Sequence, residues 1–109
     1  MSQPSVFDGR IDLYSSLADD PDLGDLVAIY VEEMPERIEN ILSRARAGDW
    51  NALAAIAHQL KGSAGSHGFH QLTGAATAVE RAIRNRQGET EVRAALDALV
   101  ELCRRVRHH

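Results

Sequence analysis

Residues 50–65 read WNALAAIAHQLKGSAG. Trp50, Leu53, Ala57, Leu60 and Ala64 recur at alternating steps of three and four. That spacing lays an apolar seam along one side of a helix, the pattern of a segment packed against other helices. Successive helical residues turn by about 100°, so His58 stands beside the seam and not in it. Its neighbours three and four positions away are Ala54, Ala55, Lys61 and Gly62, with Gly65 one turn further on. An imidazole therefore rises from a surface reduced to alanine and glycine, with one cation next to it.

The rest of the chain repeats the helical period. A stripe runs through Leu23, Leu26, Val27, Tyr30, Met34, Ile38, Ile41, Leu42 and Ala45, and Pro35 interrupts it with a kink or a brief break; the stripe keeps its phase across Pro35, which favours a kink. Gly48 ends that helix and Asp49 caps the next. Leu72, Ala75, Ala76, Val79 and Ile83 mark another helix, NRQGET (85–90) a turn, and Val92, Leu96, Leu99, Val100, Cys103 and Val106 the last helix. Ile11, Tyr14, Leu17 and Ala18 predict a short helix over residues 9–18, followed by the acidic stop Asp19–Asp22. Residues 1–8 are expected to be flexible. The fold expected is all-α: an antiparallel up-down four-helix bundle with a short extra N-terminal helix. Leu53, Leu60, Leu72, Val79, Leu96 and Leu99 are its expected core.

The 109 residues fit a single domain over 1–109. The net charge of −4 argues against a nucleic-acid binder. That charge is uneven. Residues 1–40 hold ten acids and two bases, hence −8; residues 41–109 hold six acids and ten bases, hence +4. The basic half is either a face for an acidic partner or solvated helix surface. The single cysteine, Cys103, excludes an internal disulfide and a cysteine-based zinc cluster. No apolar run approaches the roughly 20 residues that span a bilayer. With no signal peptide in view, a cytoplasmic, monomeric protein without a membrane partner is expected.

Gly62 and Gly65 bear on function. A glycine inside a helix costs about 1 kcal/mol relative to alanine. They either clear the approach of another protein to His58 or let two helices pack closely. Imidazole, with an ordinary pKa of about 6.5, is a competent nucleophile at neutral pH. An accessible ring, a neighbouring cation and a cleared approach suit a phosphoryl group delivered and removed by a partner.

These residues also resemble a known family. HQLKGSAGSHG (58–68) is similar to the signature of histidine-containing phosphotransfer (HPt) domains: His, any residue, an apolar residue, Lys, Gly, small residues, and a closing Gly ten positions after the His. His58, Leu60, Lys61, Gly62, Ser63, Ala64 and Gly68 carry the match. The GDW turn (48–50), Leu72 and Val79–Glu80 fall where such domains usually have them. The chain departs from the pattern at His67, where an apolar residue is usual.

The resemblance implies a phosphorelay intermediate. His58 would accept a phosphoryl group from a receiver-domain aspartate, or from a kinase, and pass it to another response-regulator receiver. Lys61 would stabilise the phosphoryl group, Gly62 would admit the partner, and Glu80 or Arg84 would approach the ring from the following helix. Receiver domains of response regulators or hybrid kinases would be the partners. Mg²⁺ would belong to the receiver, so this chain needs no cofactor or metal, and it is expected to be a phosphocarrier without kinase activity of its own.

Rival readings are weaker. His67 and His70, with His58 nine residues before His67, form a poor metal pattern without the Glu-x-x-His pairs of di-iron bundles. Gly62, Gly65 and Gly68 lack the preceding strand and following Gly-Lys-Ser/Thr of a phosphate loop. Ser63 and Ser66 lie outside a Gly-x-Ser-x-Gly elbow. The strongest alternative is a helical adaptor of the same fold that binds without being phosphorylated, against which the intact His58–Lys61–Gly62 set stands.

Overall fold

The computed structural model describes residues 12–107. The order of elements is β1 (Leu13–Tyr14), α1 (Gly24–Glu32), α2 (Met34–Arg46), α3 (Trp50–Ser66), α4 (His70–Arg84), α5 (Glu89–Cys103) and β2 (Val106–Arg107). The described chain is thus mostly helical, with five helices and two very short strands.

Local chemistry sets the boundaries. Glu33 separates α1 from α2 while keeping right-handed helical backbone. The one-residue break moves Pro35 from a helix interior into the first turn of α2. There the missing N–H has no intrahelical acceptor to disappoint. Gly48 ends α2 in the left-handed region (φ +68°), and the Asp49 carboxylate accepts from the Ala52 N–H at 3.2 Å to start α3.

One hydrophobic cluster joins all five helices. It includes Val27, Ile41, Leu53, Ala57, Leu60, Ala64, Leu72, Val79, Leu96 and Leu99. The seam Leu53–Ala57–Leu60–Ala64 is buried along its whole length, and the six expected core residues are all in the interior. The pairing of α3 with α4 positions the site. Thr73 near the start of α4 donates to the Lys61 carbonyl and approaches Gly65. Glu80, two turns further on, meets His58. Advancing along α4 means retreating along α3, so these two helices are antiparallel.

Three expectations need correction. The helix over 9–18 is not present where the chain is described: residues 12–18 form β1 and a turn. Residues 9–11 lie outside the described residues, as does the segment 1–8 expected to be flexible. Ser15 supplies the physical reason. Its hydroxyl donates to the His67 carbonyl and accepts from the Leu17 N–H, drawing the backbone out of helical bonding. β1 pairs in parallel with β2, Leu13 opposite Val106, and the Ser16 N–H donates to the Gly68 carbonyl. This segment straps the C-terminal end of the chain to the α3–α4 turn. Val106, read from its spacing as helical, is therefore buried on β2, beyond the end of α5 at Cys103. Finally, Leu23 and Leu26 belong by spacing to the α1 stripe but are exposed, Leu26 by 52%. Only Val27 and Tyr30 of α1 are buried.

Leu60→Ala is expected to destabilise the protein by about 2–5 kcal/mol, because it leaves a cavity in a closed interior. Urea denaturation checks this; a loss below about 1 kcal/mol would contradict the packing described.

Candidate functional site

The site is built across the α3–α4 pair. Because His58 flanks the buried seam, its side chain is 60% exposed. Lys61, one turn on, lies half-buried at the same edge. Facing them from α4 is Glu80, which sits next to Val79 of the core and is only 11% exposed at its side chain. A carboxylate this deep needs partners, and it has three. Lys61 Nζ donates to Oε1 at 2.9 Å, and His58 Nδ1 and Arg84 Nε both reach Oε2 at 3.0 Å. The hydrogen bonds from Lys61 and then Arg84 and His58, against a smaller opposing effect of burial, lower the Glu80 pKa to about 2.

This arrangement fixes the ring chemistry. An ionised carboxylate only accepts hydrogen bonds, so the proton lies on Nδ1 of His58. In the neutral ring the lone pair is then on Nε2, the nitrogen not engaged by Glu80. Of the two residues expected to approach the ring, Glu80 touches it directly. Arg84 reaches it only through the shared Oε2.

The glycines separate into different roles. A Cβ built on Gly62 would meet nothing within 4 Å, so this residue is not required by helix packing. One on Gly65 would stand 3.3 Å from Thr73 Oγ1, so Gly65 is the close-packing residue. Gly68 has φ +82°, and a Cβ there would collide with the Ser15 and Ser16 hydroxyls. It turns the chain out of α3 and lets the N-terminal strap cross.

His67 and His70 are not brought to His58. The His67 ring stacks on Tyr30, with centroids 4.1 Å apart and planes 13° from parallel. Its Nδ1 donates to the Ser63 carbonyl at 2.7 Å. His70 lies near Ser16 instead. Among the described residues no group of three or more His, Cys, Asp or Glu side chains is placed to hold a metal ion. Gly62 and Gly65 are within α3, so no phosphate-cradling loop exists there. Ser63 is bonded to the Tyr30 hydroxyl and to the Leu60 carbonyl.

A half-exposed histidine, tied through one nitrogen to a carboxylate and flanked by an unobstructed glycine, is the setting in which the comparison with known families is decisive. The Hpt domain model matches residues 25–109. The chain belongs to the Hpt domain family. No curated protein and no solved structure was matched. Hpt domains are phosphocarrier modules of two-component phosphorelays, working with receiver domains of response regulators and with kinases. In this Hpt domain the folded unit starts before the matched region, since the strap residues 13–16 bond to Arg105, His67 and Gly68. Among the described residues no helix is long and apolar enough to cross a membrane.

Spacing on α3 and the family resemblance singled out His58, Lys61 and Gly62 as candidates, and the structure brings them to one edge of α3. The hub role of Glu80 was not legible from α3, because it depends on the register of α4 against α3. The hints were an acid directly after the core residue Val79 and the family resemblance, which offered Glu80 or Arg84 as ring neighbours without ranking them.

The carboxylate sets a pH dependence. Glu80 ordinarily titrates at 4.5 and in the folded state at about 2. Its depressed value contributes stability that is fully present above about pH 4.5 and is lost as pH falls towards 2. Glu80→Gln is expected to flatten the thermal-midpoint profile across that window relative to the parent protein. Superimposable acid profiles would contradict the three-donor arrangement.

Proposed function

We propose that this Hpt domain accepts a phosphoryl group on Nε2 of His58 from the phosphoaspartate of a receiver domain, or from a kinase, and passes it to the aspartate of another receiver. The observation that carries this reading is the His58–Glu80 bond: it occupies Nδ1 and leaves Nε2 as the nucleophilic nitrogen of an exposed ring beside open space at Gly62.

The reaction follows from those positions. The Nε2 lone pair attacks phosphorus, the N–P bond forms, and the P–O bond to the donor aspartate breaks, returning that group as a carboxylate. No proton has to leave the ring, because Nδ1 keeps its own. The ring gains positive charge as the bond forms, and the Glu80 carboxylate lies 3.0 Å away to balance it. In the onward transfer the charge disappears and the neutral ring returns. Lys61 gives one N–H to Glu80. Its two remaining N–H groups serve the phosphoryl oxygens. In-line attack needs the reacting atoms within about 3–3.5 Å, and Gly62 leaves room for the partner to come that close.

The wider reading is a single domain over 1–109 in which α2–α5 form an antiparallel four-helix bundle, acting as a cytoplasmic monomer. It has no metal or cofactor of its own; the divalent cation belongs to the receiver. It has no kinase activity.

Two variants test this. His58→Gln is expected to abolish label acceptance from phosphorylated receivers while the far-ultraviolet circular dichroism is unchanged; label on that variant, at His67 or His70, would refute the assignment. Gly62→Gln is expected to raise the thermal midpoint, since glutamine is the better helix former and meets open space. It should also slow transfer more than tenfold, above about 1.4 kcal/mol of barrier. Gly62→Gln transferring at the parent rate would remove the access role.

A further inference from the structure

Lys61 is held at two points, and only one of them is its charge. Its ammonium donates to Glu80 Oε1 at 2.9 Å. Its backbone carbonyl accepts from the Thr73 hydroxyl at 3.1 Å, across the same helix pair. Within α3 the helical partner of that carbonyl is the Gly65 N–H, four residues on. A carbonyl oxygen has two lone pairs, and Thr73 takes the second. Both holds on Lys61 come from one stripe of α4. Thr73, Thr77, Glu80 and Arg84 are spaced four, three and four apart and so share a face. The Thr77 hydroxyl donates back to the Thr73 carbonyl at 2.8 Å, which uses its proton within α4.

A carbonyl in the middle of a helix is ordinarily screened by the side chains above it. Each Cβ of an α-helix leans back over the preceding turn, so a side chain at position 65 would stand over the Lys61 carbonyl. A Cβ built on Gly65 comes 3.3 Å from Thr73 Oγ1 and meets no other atom of a neighbouring element within 4 Å. The space that Gly65 leaves is therefore the space of one hydroxyl. The four-carbon stem of lysine is flexible, so the ammonium goes where backbone register and partners send it. Apolar packing of α3 on α4 is non-directional, whereas a hydrogen bond has a preferred direction and a short reach. Thr73 thus pins α3 at the residue that bears the cation, two turns of α4 from the carboxylate that receives it.

We propose that Thr73, through the Lys61 carbonyl that Gly65 uncovers, is a positioning residue for phosphoryl transfer. It sets the register at which Lys61 reaches both Glu80 and the phosphoryl oxygens while Glu80 stays bonded to His58. This rests on the phosphotransfer reading and deepens it, adding a residue that acts through Lys61 and not on the ring.

The test uses the full chain below its thermal midpoint. Thr73→Val keeps the shape and removes the hydroxyl, Thr73→Ser keeps the hydroxyl, and Gly65→Ala crowds the same hydroxyl from α3. The carbon-13 resonance of the Glu80 carboxyl, followed from neutral pH to about 3.5, reports the Lys61 bond without any phosphoryl donor. Glu80 should stay ionised over that range in the parent and in Thr73→Ser. It should begin to protonate in Thr73→Val, because the Lys61 hydrogen bond is the largest cause of its lowered pKa. Phosphoramidate, a small donor that needs no docking face, reads the transfer. His58 should be labelled about fivefold more slowly, or worse, in Thr73→Val, and within about twofold of the parent rate in Thr73→Ser. Gly65→Ala should move both readouts in the direction of Thr73→Val. A hydroxyl that only holds the helices together would instead lower the thermal midpoint and leave the Glu80 titration and the labelling rate as in the parent. That result in Thr73→Val and Gly65→Ala would overturn the proposal, as would a Thr73→Ser protein no better than Thr73→Val. A parent chain labelled on His58 neither by phosphoramidate nor by any phosphorylated receiver would refute the phosphotransfer reading and the transfer role of Thr73 with it, while the Glu80 titration decides separately whether Thr73 places Lys61.

Discussion

The Glu80 carboxylate is the constraint on which the site depends. Set at the edge of the interior, it cannot stay ionised without donors, and it takes them from two helices: His58 and Lys61 on α3, Arg84 on its own helix α4. The same bonds that satisfy the charge fix the rotation of the His58 ring, the nitrogen that carries its proton and the reach of Lys61. They hold only if α3 and α4 keep their register, which the buried seam Leu53–Ala57–Leu60–Ala64 against Leu72, Ala76 and Val79 maintains. Core packing and site chemistry are therefore linked through one side chain. Removing the carboxylate leaves the ring free to rotate and either nitrogen free to carry the proton.

Three glycines in one short stretch show how a single residue type answers different physical demands. Gly62 faces open space, so its lack of a side chain answers no packing demand and fits the access role proposed for it. Gly65 lies against Thr73 of α4 and serves the helix pair. Gly68 turns the chain with a left-handed backbone and is crossed by the Ser15–Ser16 strap. At Gly62 the helix gives up propensity without a packing reason, which supports the proposed access role.

Much of this was legible in the sequence because it is local. The three-four spacing of the α3 seam, the Gly48 stop, the Asp49 cap and the position of His58 beside the seam follow from helical periodicity and capping chemistry. What was not legible depends on contacts between distant segments. The helical spacing of Tyr14 and Leu17 gave way to strand pairing with Val106–Arg107 and to the Ser15 hydroxyl bonds, neither of which a local period encodes. Leu26 fits the apolar stripe but is left exposed, because α1 buries only Val27 and Tyr30. His67, at a position where an apolar side chain is usual, meets the same demand by stacking its ring on Tyr30 while its nitrogen finds the Ser63 carbonyl. Glu80 and Arg84 were placed on the right helix by resemblance, but their unequal relation to the ring is set by the α3–α4 register.

The central claim is that Glu80 holds the proton on Nδ1, so that the other nitrogen of His58 takes the phosphoryl group. Nitrogen-15 and phosphorus-31 magnetic resonance of the labelled protein, after phosphorylation by a receiver, reads this directly. The account predicts phosphorus coupled to Nε2 of His58 with Nδ1 still protonated. Phosphorus on Nδ1, or on the ring of His67 or His70, would contradict it.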